Sequence, residues 1–152
     1  PVRGQPLTVL PGAGRAVRIE GDALMVPGDP ARMAARMAGY LKALARDRLA
    51  EASDRYAARL GRRYTRLTLR DTRSRWGSCS AQGALSYSWR LILAPDAVLD
   101  YVAAHEVAHL AEMNHSDRFW SVVEKIHGPY AAQRRWLRTD GPALHRYRFD
   151  VD

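Results

Sequence analysis

The sequence predicts an α+β fold: a small antiparallel sheet packed against helices, with one buried helix at its centre. Three observations predict it. Short segments at residues 16–20, 23–26 and 66–70 alternate apolar and polar side chains between turn-forming pairs, as half-buried strands do. Residues 31–60, 117–127 and 130–138 place apolar side chains at helical spacing. Residues 97–111, AVLDYVAAHEVAHLA, are apolar nearly all round except at Asp100 and the His-Glu group, which marks a helix buried on most sides.

The elements follow in order. Residues 1–15 are rich in Pro and Gly and are expected to form a flexible arm, leaving residues 16–152 as a single domain. Residues 16–20 and 23–26 flank Gly21-Asp22, a hairpin signal, and Pro27-Gly28-Asp29-Pro30 closes it. The helix over 31–60 carries Met33, Met37, Tyr40, Leu41 and Leu44 on one face and arginines opposite. Its length leaves room for a break near Ser53. Residues 66–70 read as a strand; after residues 76–80 the pair Gln82-Gly83 marks a turn, and residues 84–94 read as the returning strand. Pro95 suits the first position of the central helix and Asp96 its first turn. Two helices follow, the first stopped by Gly128-Pro129, and residues 143–152 read as a short closing strand.

A chain of 152 residues can bury a core as one domain, and 47% hydrophobic with 26% charged residues is the composition of a soluble globular protein. No apolar run approaches the ~20 residues that span a bilayer, so no membrane partner is expected. The opening PVRGQPLTVLPGAG lacks the apolar centre of a secretory signal. Cys79 is the single cysteine, which excludes an internal disulfide and fits a reducing compartment, so a cytoplasmic location is expected. The net charge is +8, and Lys42 and Lys125 are the only lysines among 24 basic residues. An Arg-rich surface suits an anionic partner such as a nucleotide or nucleic acid, and equally a plain solvated face.

The chemistry lies in His105-Glu106-Val107-Ala108-His109. Positions four apart stack on one helix face, so His105 and His109 can reach one ion. Glu106 points close by, where it can hold a water. This is the HExxH arrangement of zinc hydrolases: two ligands, a general base and an open coordination position. Buried imidazoles and a carboxylate need partners, and a divalent cation satisfies all three. The alternative is a pair of core histidines bonded to backbone, with Glu106 paired to an arginine. In a continuous helix His115 would sit about 240° round from His109, facing away. The helix is therefore expected to end between them, at Met113-Asn114, since Asn tolerates the left-handed conformation. Ser116-Asp117 then reads as an N-cap and first-turn carboxylate of a new helix. His115 is the expected third ligand, against a solvated loop histidine.

The blocks Arg75-Trp76-Gly77-Ser78-Cys79-Ser80, Trp89-Arg90-Leu91-Ile92, Pro95, Asp100-Tyr101-Val102, His105-Glu106, His109-Leu110, Asn114-His115-Ser116 and Phe119-Trp120 stand in a fixed order. In them the chain resembles the YgjP-like metallopeptidase family, itself similar to SprT-type zinc proteases. The resemblance is strong over about residues 67–130. It implies a zincin-like core with the HExxH helix central, a metal held by His105, His109 and His115, and Glu106 as catalytic base. Ser88 departs from the pattern, because the family usually carries Asn before the Trp-Arg pair. The spacing to His115 also matches metzincins, but those place Gly where Glu112 stands and no Met-turn is visible, so their features are not carried over.

Other residues read more plainly. Cys79 is expected to be a small buried hydrophobe, and Trp76 and Trp89 core or cleft wall. Ser78 and Arg90 flank the central helix and could orient a substrate. For Arg90 a structural ion pair, to Asp100 or Glu112, is at least as well supported. His127 and His145 are expected in solvent, with oxyanion stabilisation as the alternative. Phe119, Trp120 and Val123 are read as core.

The leading expectation is a zinc-dependent hydrolase, a metallopeptidase acting on peptide or protein through a metal-bound water, with Glu106 as general base. One alternative is a nucleoside triphosphate phosphohydrolase, since Lewis acidity transfers to phosphoryl oxygen and arginines clamp phosphates. No Gly-rich cradle or acidic magnesium cluster supports it. Another is a nucleic-acid-associated protease. A purely structural zinc is disfavoured, because such sites fill all four positions.

Overall fold

The computed structural model describes residues 1–12, 14 and 16–149. In chain order it contains β1 (Thr8–Gly12), β2 (Arg18–Glu20), β3 (Ala23–Pro27), α1 (Met33–Leu60), β4 (Arg66–Arg70), β5 (Gly77–Cys79) and β6 (Ala84–Ser88). Then come α2 (Asp96–Ala108), α3 (Asp117–His127) and α4 (Ala131–Thr139). Short 3₁₀ segments lie at Pro30–Arg32, Trp89–Leu93 and Gly141–Arg146. The α+β class is as expected. The sheets, however, are mixed rather than antiparallel. β1-β3-β2 pairs β1 parallel to β3, and β4-β6-β5 pairs β4 parallel to β6. Only the hairpins β2–β3 and β5–β6 run antiparallel. Tight turns at Gly21-Asp22 and Gln82-Gly83 dictate antiparallel neighbours, whereas β4 reaches β6 over a connection long enough for parallel pairing.

The segment expected as a flexible arm holds β1 instead, in register from Thr8↔Ala23 to Gly12↔Pro27. Pro and Gly do not bar a strand at a sheet edge, where missing N–H groups cost no ladder bond. Ahead of β1, Val2 is buried in the core, and the Arg3 guanidinium grips Asp96 at 2.9 and 2.7 Å. The backbone N–H groups of Arg3 and Gly4 donate to the carbonyls of Ile92 and Leu93.

α1 runs unbroken through Ser53, whose hydroxyl bonds the Tyr87 hydroxyl at 2.9 Å and so does not compete for helix backbone. Gly61, in the left-handed conformation (φ 73°), closes the helix. Leu41, Ala45, Leu49, Ala52 and Tyr56 form its buried stripe, and the alanines let α2 approach closely. The strand expected over 84–94 stops at Ser88. Its buried hydroxyl accepts from the Arg90 N–H at 3.3 Å and starts the Trp89–Leu93 turn. That is what Ser88 does here in place of the family's Asn. The closing segment is the 3₁₀ turn Gly141–Arg146 rather than a strand; residues 150–152 of that expectation lie outside the described residues. No helix among the described residues is long and apolar enough to cross a membrane.

Candidate metal centre

Pro95 is the N-cap of α2, one position ahead of expectation, and Asp96 opens the helix. The helix passes under α1 and is buried along most of its length, which turns the last turn's polar side chains toward a single opening. Glu106 and His109 are 6% and 7% exposed, and His105 is half-buried. The helix ends at Ala108, earlier than Met113-Asn114. The N–H groups of His109, Leu110 and Ala111 donate to carbonyls three residues back, at 3.2, 2.9 and 3.0 Å. This 3₁₀-like tightening turns the chain without a left-handed residue: among described non-glycine residues only Arg3 has positive φ. Ser116 then caps α3 as expected, its hydroxyl accepting from the Phe119 N–H at 3.4 Å. His115, just before that cap, returns to the other two. Its Nε2 lies 3.2 Å from Nε2 of His105, and donor atoms of all three imidazoles fall within 4.8 Å of one another.

The rings are held from behind. Nδ1 of His105 lies 3.2 Å from the Tyr101 hydroxyl, one helical turn earlier, and Nδ1 of His109 lies 3.0 Å from the Glu112 carbonyl. These contacts leave Nε2 of each ring for the common centre. Burial, reinforced by the neighbouring imidazoles and Arg134, drives the pKa of His105 down to about 3; burial also lowers that of His109. Neutral imidazole is the form that binds metal, so the donor set fits a borderline divalent cation. Glu106 makes no hydrogen bond or salt bridge with a described residue. Burial raises its pKa to about 8, with the charge of Arg75 opposing the rise. A Cβ at Gly77 would sit 2.8 Å from Glu106 Cγ and 3.0 Å from Oε2, so β5 lies against this carboxylate only because residue 77 is glycine.

The site opens into a cavity of about 860 Å³. Trp76, Ser78, Cys79, Trp120, Arg75, Arg134 and Arg138 line it beside the histidines and Glu106. Trp76 is cleft wall, and Trp89 is core. Phe119 and Val123 are core, but Trp120 is wall, stacked on Tyr130 at 5.1 Å. Cys79 is half-buried wall rather than core, and burial plus the charge of Glu106 push its pKa up to about 11, which keeps it a thiol. Arg90 does not reach the cavity. It pairs with Asp71 at 2.8 Å, not with Asp100 or Glu112, and Asp100 is taken by Arg55 at 3.3 Å. His127 is half-buried and packs edge-on against Tyr101, while His145 stacks on Trp76 at 4.9 Å. Neither histidine lines the cavity, so neither is placed to meet an oxyanion. The cavity arginines of α4, Arg134 and Arg138, went unread in the sequence; their spacing of four puts them on one helix face but does not separate a cavity face from a solvated one.

A small mixed sheet over a buried helix that delivers two imidazoles, with a third returned by the following turn, is the arrangement of a metal-dependent peptidase with a zincin-like fold. The chain belongs to the YgjP-like, metallopeptidase domain family, whose pattern matches residues 12–140. Among solved structures, its fold is similar to that in the crystal structure of the metallopeptidase zymogen of Pyrococcus abyssi abylysin. The TM-score is 0.52 and the identity 20%, over 60% of this chain and 95% of that one. No curated protein matches the chain.

Proposed function

We propose that this protein is a zinc peptidase in which His105, His109 and His115 hold the ion and Glu106 is the general base. One observation carries the reading: three imidazole donors within 4.8 Å of one another beside a buried carboxylate that makes no hydrogen bond or salt bridge with a described residue. Zinc bound there would supply Lewis acidity, polarising the scissile carbonyl and lowering the pKa of water toward ~7. Glu106 takes a proton from water in the cavity and passes it to the leaving amine nitrogen. Its raised pKa suits it to hold that proton between the two transfers. β5 is the edge strand of its sheet and lines the cavity, so its open side can pair with an extended peptide. Tyr101 and the Glu112 carbonyl keep the His105 and His109 rings turned inward.

The test is metal content and peptide turnover on the purified protein. His115→Ala is expected to weaken zinc binding at least about 100-fold, the upper end of what losing even an outer partner costs. Full occupancy in that variant would remove His115 from the ligand set. Gly77→Ala should lower turnover by about 10- to 100-fold at unchanged metal content, because the added methyl must push Glu106 aside. Turnover equal to wild type would mean that the carboxylate's position against β5 does not matter.

A further inference from the structure

The cavity wall carries three guanidinium groups, Arg75 from the β4–β5 loop and Arg134 and Arg138 from α4. Four residues apart, Arg134 and Arg138 share one helix face, with Leu137 lining the same cavity between them. None of the three forms a salt bridge with a described carboxylate, whereas Arg3, Arg18, Arg48, Arg55 and Arg90 all do. Glu106 is the single carboxylate among the described lining residues. Arg134 is also held in place, its guanidinium 4.4 Å from the Trp120 ring, which is itself stacked on Tyr130. Packing on the indole fixes the group while its N–H donors stay available to an acceptor in the cavity.

Resting on the peptidase reading, we infer that this cavity selects acidic peptides: Arg134 and Arg138, with Arg75, receive carboxylates close to the bond that is cut. Guanidinium and carboxylate match as two parallel hydrogen bonds, so the recognition is geometric as well as Coulombic. A cleft walled by one sign of charge also draws in oppositely charged substrate and repels lysine-rich sequences. The carboxylate comes from Asp and Glu side chains or from a chain end. Carboxylate is favoured over phosphate because the lining includes an edge strand suited to peptide backbone, and Gly77 is its only glycine, far from a phosphate cradle.

The experiment uses the zinc-loaded full chain and peptides of equal length with Glu, Gln or Lys around the centre, each with free or amidated C-terminus. Glu peptides should be cut with kcat/KM at least about tenfold above the Gln set. The double variant Arg134→Met/Arg138→Met should erase that preference by lowering kcat/KM for Glu peptides roughly three- to tenfold more per guanidinium than for Gln peptides. Arg134→Lys/Arg138→Lys should retain part of it, and the control Arg62→Met/Arg63→Met all of it. Binding and cleavage of Glu and Gln peptides alike that fall on amidation identify the chain end as the carboxylate recognised. Fluorescence anisotropy of a labelled Glu peptide on zinc-loaded Glu106→Gln reads binding without turnover. Capture that needs Arg134 and Arg138, with no cleavage by the wild type, would sink the peptidase reading and leave the acidic subsite standing. Equal binding of Glu and Gln peptides that amidation leaves unchanged, or an acidic preference untouched by the double Met variant, overturns the inference. So does ATP that displaces the Glu peptide at lower concentration than unlabelled peptide and is itself hydrolysed.

Discussion

Glu106→Gln is expected to lower kcat by about 10²- to 10⁴-fold, the range that a positioned general base supplies. Zinc content should stay at the wild-type level. Gln fills the same volume and removes only the proton-accepting charge. Glu106 makes no hydrogen bond or salt bridge with a described residue, so no partner is left stranded. Keeping a carboxylate buried costs free energy, and the metal-free variant should therefore melt at or above the wild-type temperature. No described neighbour can take over. Cys79 is a thiol with its pKa pushed up to about 11, and no other carboxylate of the described residues lines the cavity. Turnover unchanged in the variant would remove Glu106 as the base. A fall that tracks lost zinc would instead make it a metal-holding residue.

What was legible in the sequence was what is local. The spacing of His105 and His109, the apolar surround of their helix, the Gly21-Asp22 and Gln82-Gly83 turns and the Ser116 cap all act within a few residues, and each stands as read. The return of His115 was also legible, because helical geometry forbids its convergence otherwise. The means differed: tightened backbone bonds after Ala108 turn the chain, and such bonds leave no mark on composition. Parallel pairing of β1 and β4 was not legible, since the partner of an edge strand is chosen by packing rather than by its own pattern. Nor was the partner of Arg90, or the packing of His127 and His145 on Tyr101 and Trp76. An arginine on α4 looks the same in sequence whether it faces water or a cavity; only the tertiary fold distinguishes Arg134 and Arg138 from a solvated face.

Arg90→Met is expected to cost about 3–5 kcal/mol of stability, the loss typical when one partner of a buried charged network is removed. For a domain of this size that lowers Tm by about 10 °C. The Arg90 side chain is 9% exposed. It donates to Asp71 at 2.8 and 3.4 Å and, through one Nη, to the carbonyls of Leu144 and Tyr147 at 3.0 and 2.8 Å. Met would fill much of the space but satisfy none of these acceptors. Asp71→Asn separates the contributions. The Asp71 side chain is half exposed, so its share should be only about 1 kcal/mol or less. Arg90 holds the Asp71 pKa below the usual carboxylate range. Its contribution is therefore present above the unfolded value, about 3.9, and is lost as pH falls through the lower folded value. The Tm gap between wild type and Asp71→Asn should close in acid, while most of the Arg90→Met deficit persists. A deficit no larger than that of Asp71→Asn would mean that the two carbonyls contribute nothing. The consequence for activity runs through Trp76. Those carbonyls belong to the segment that places His145 against Trp76 and brings Gly141 so close that a Cβ there would lie 3.0 Å from the indole. Loosening the segment frees a cavity wall, so well below its Tm the variant should show a raised KM with kcat less affected. If KM holds while Tm falls, residues 141–147 support the fold alone, and the cavity wall stands without them.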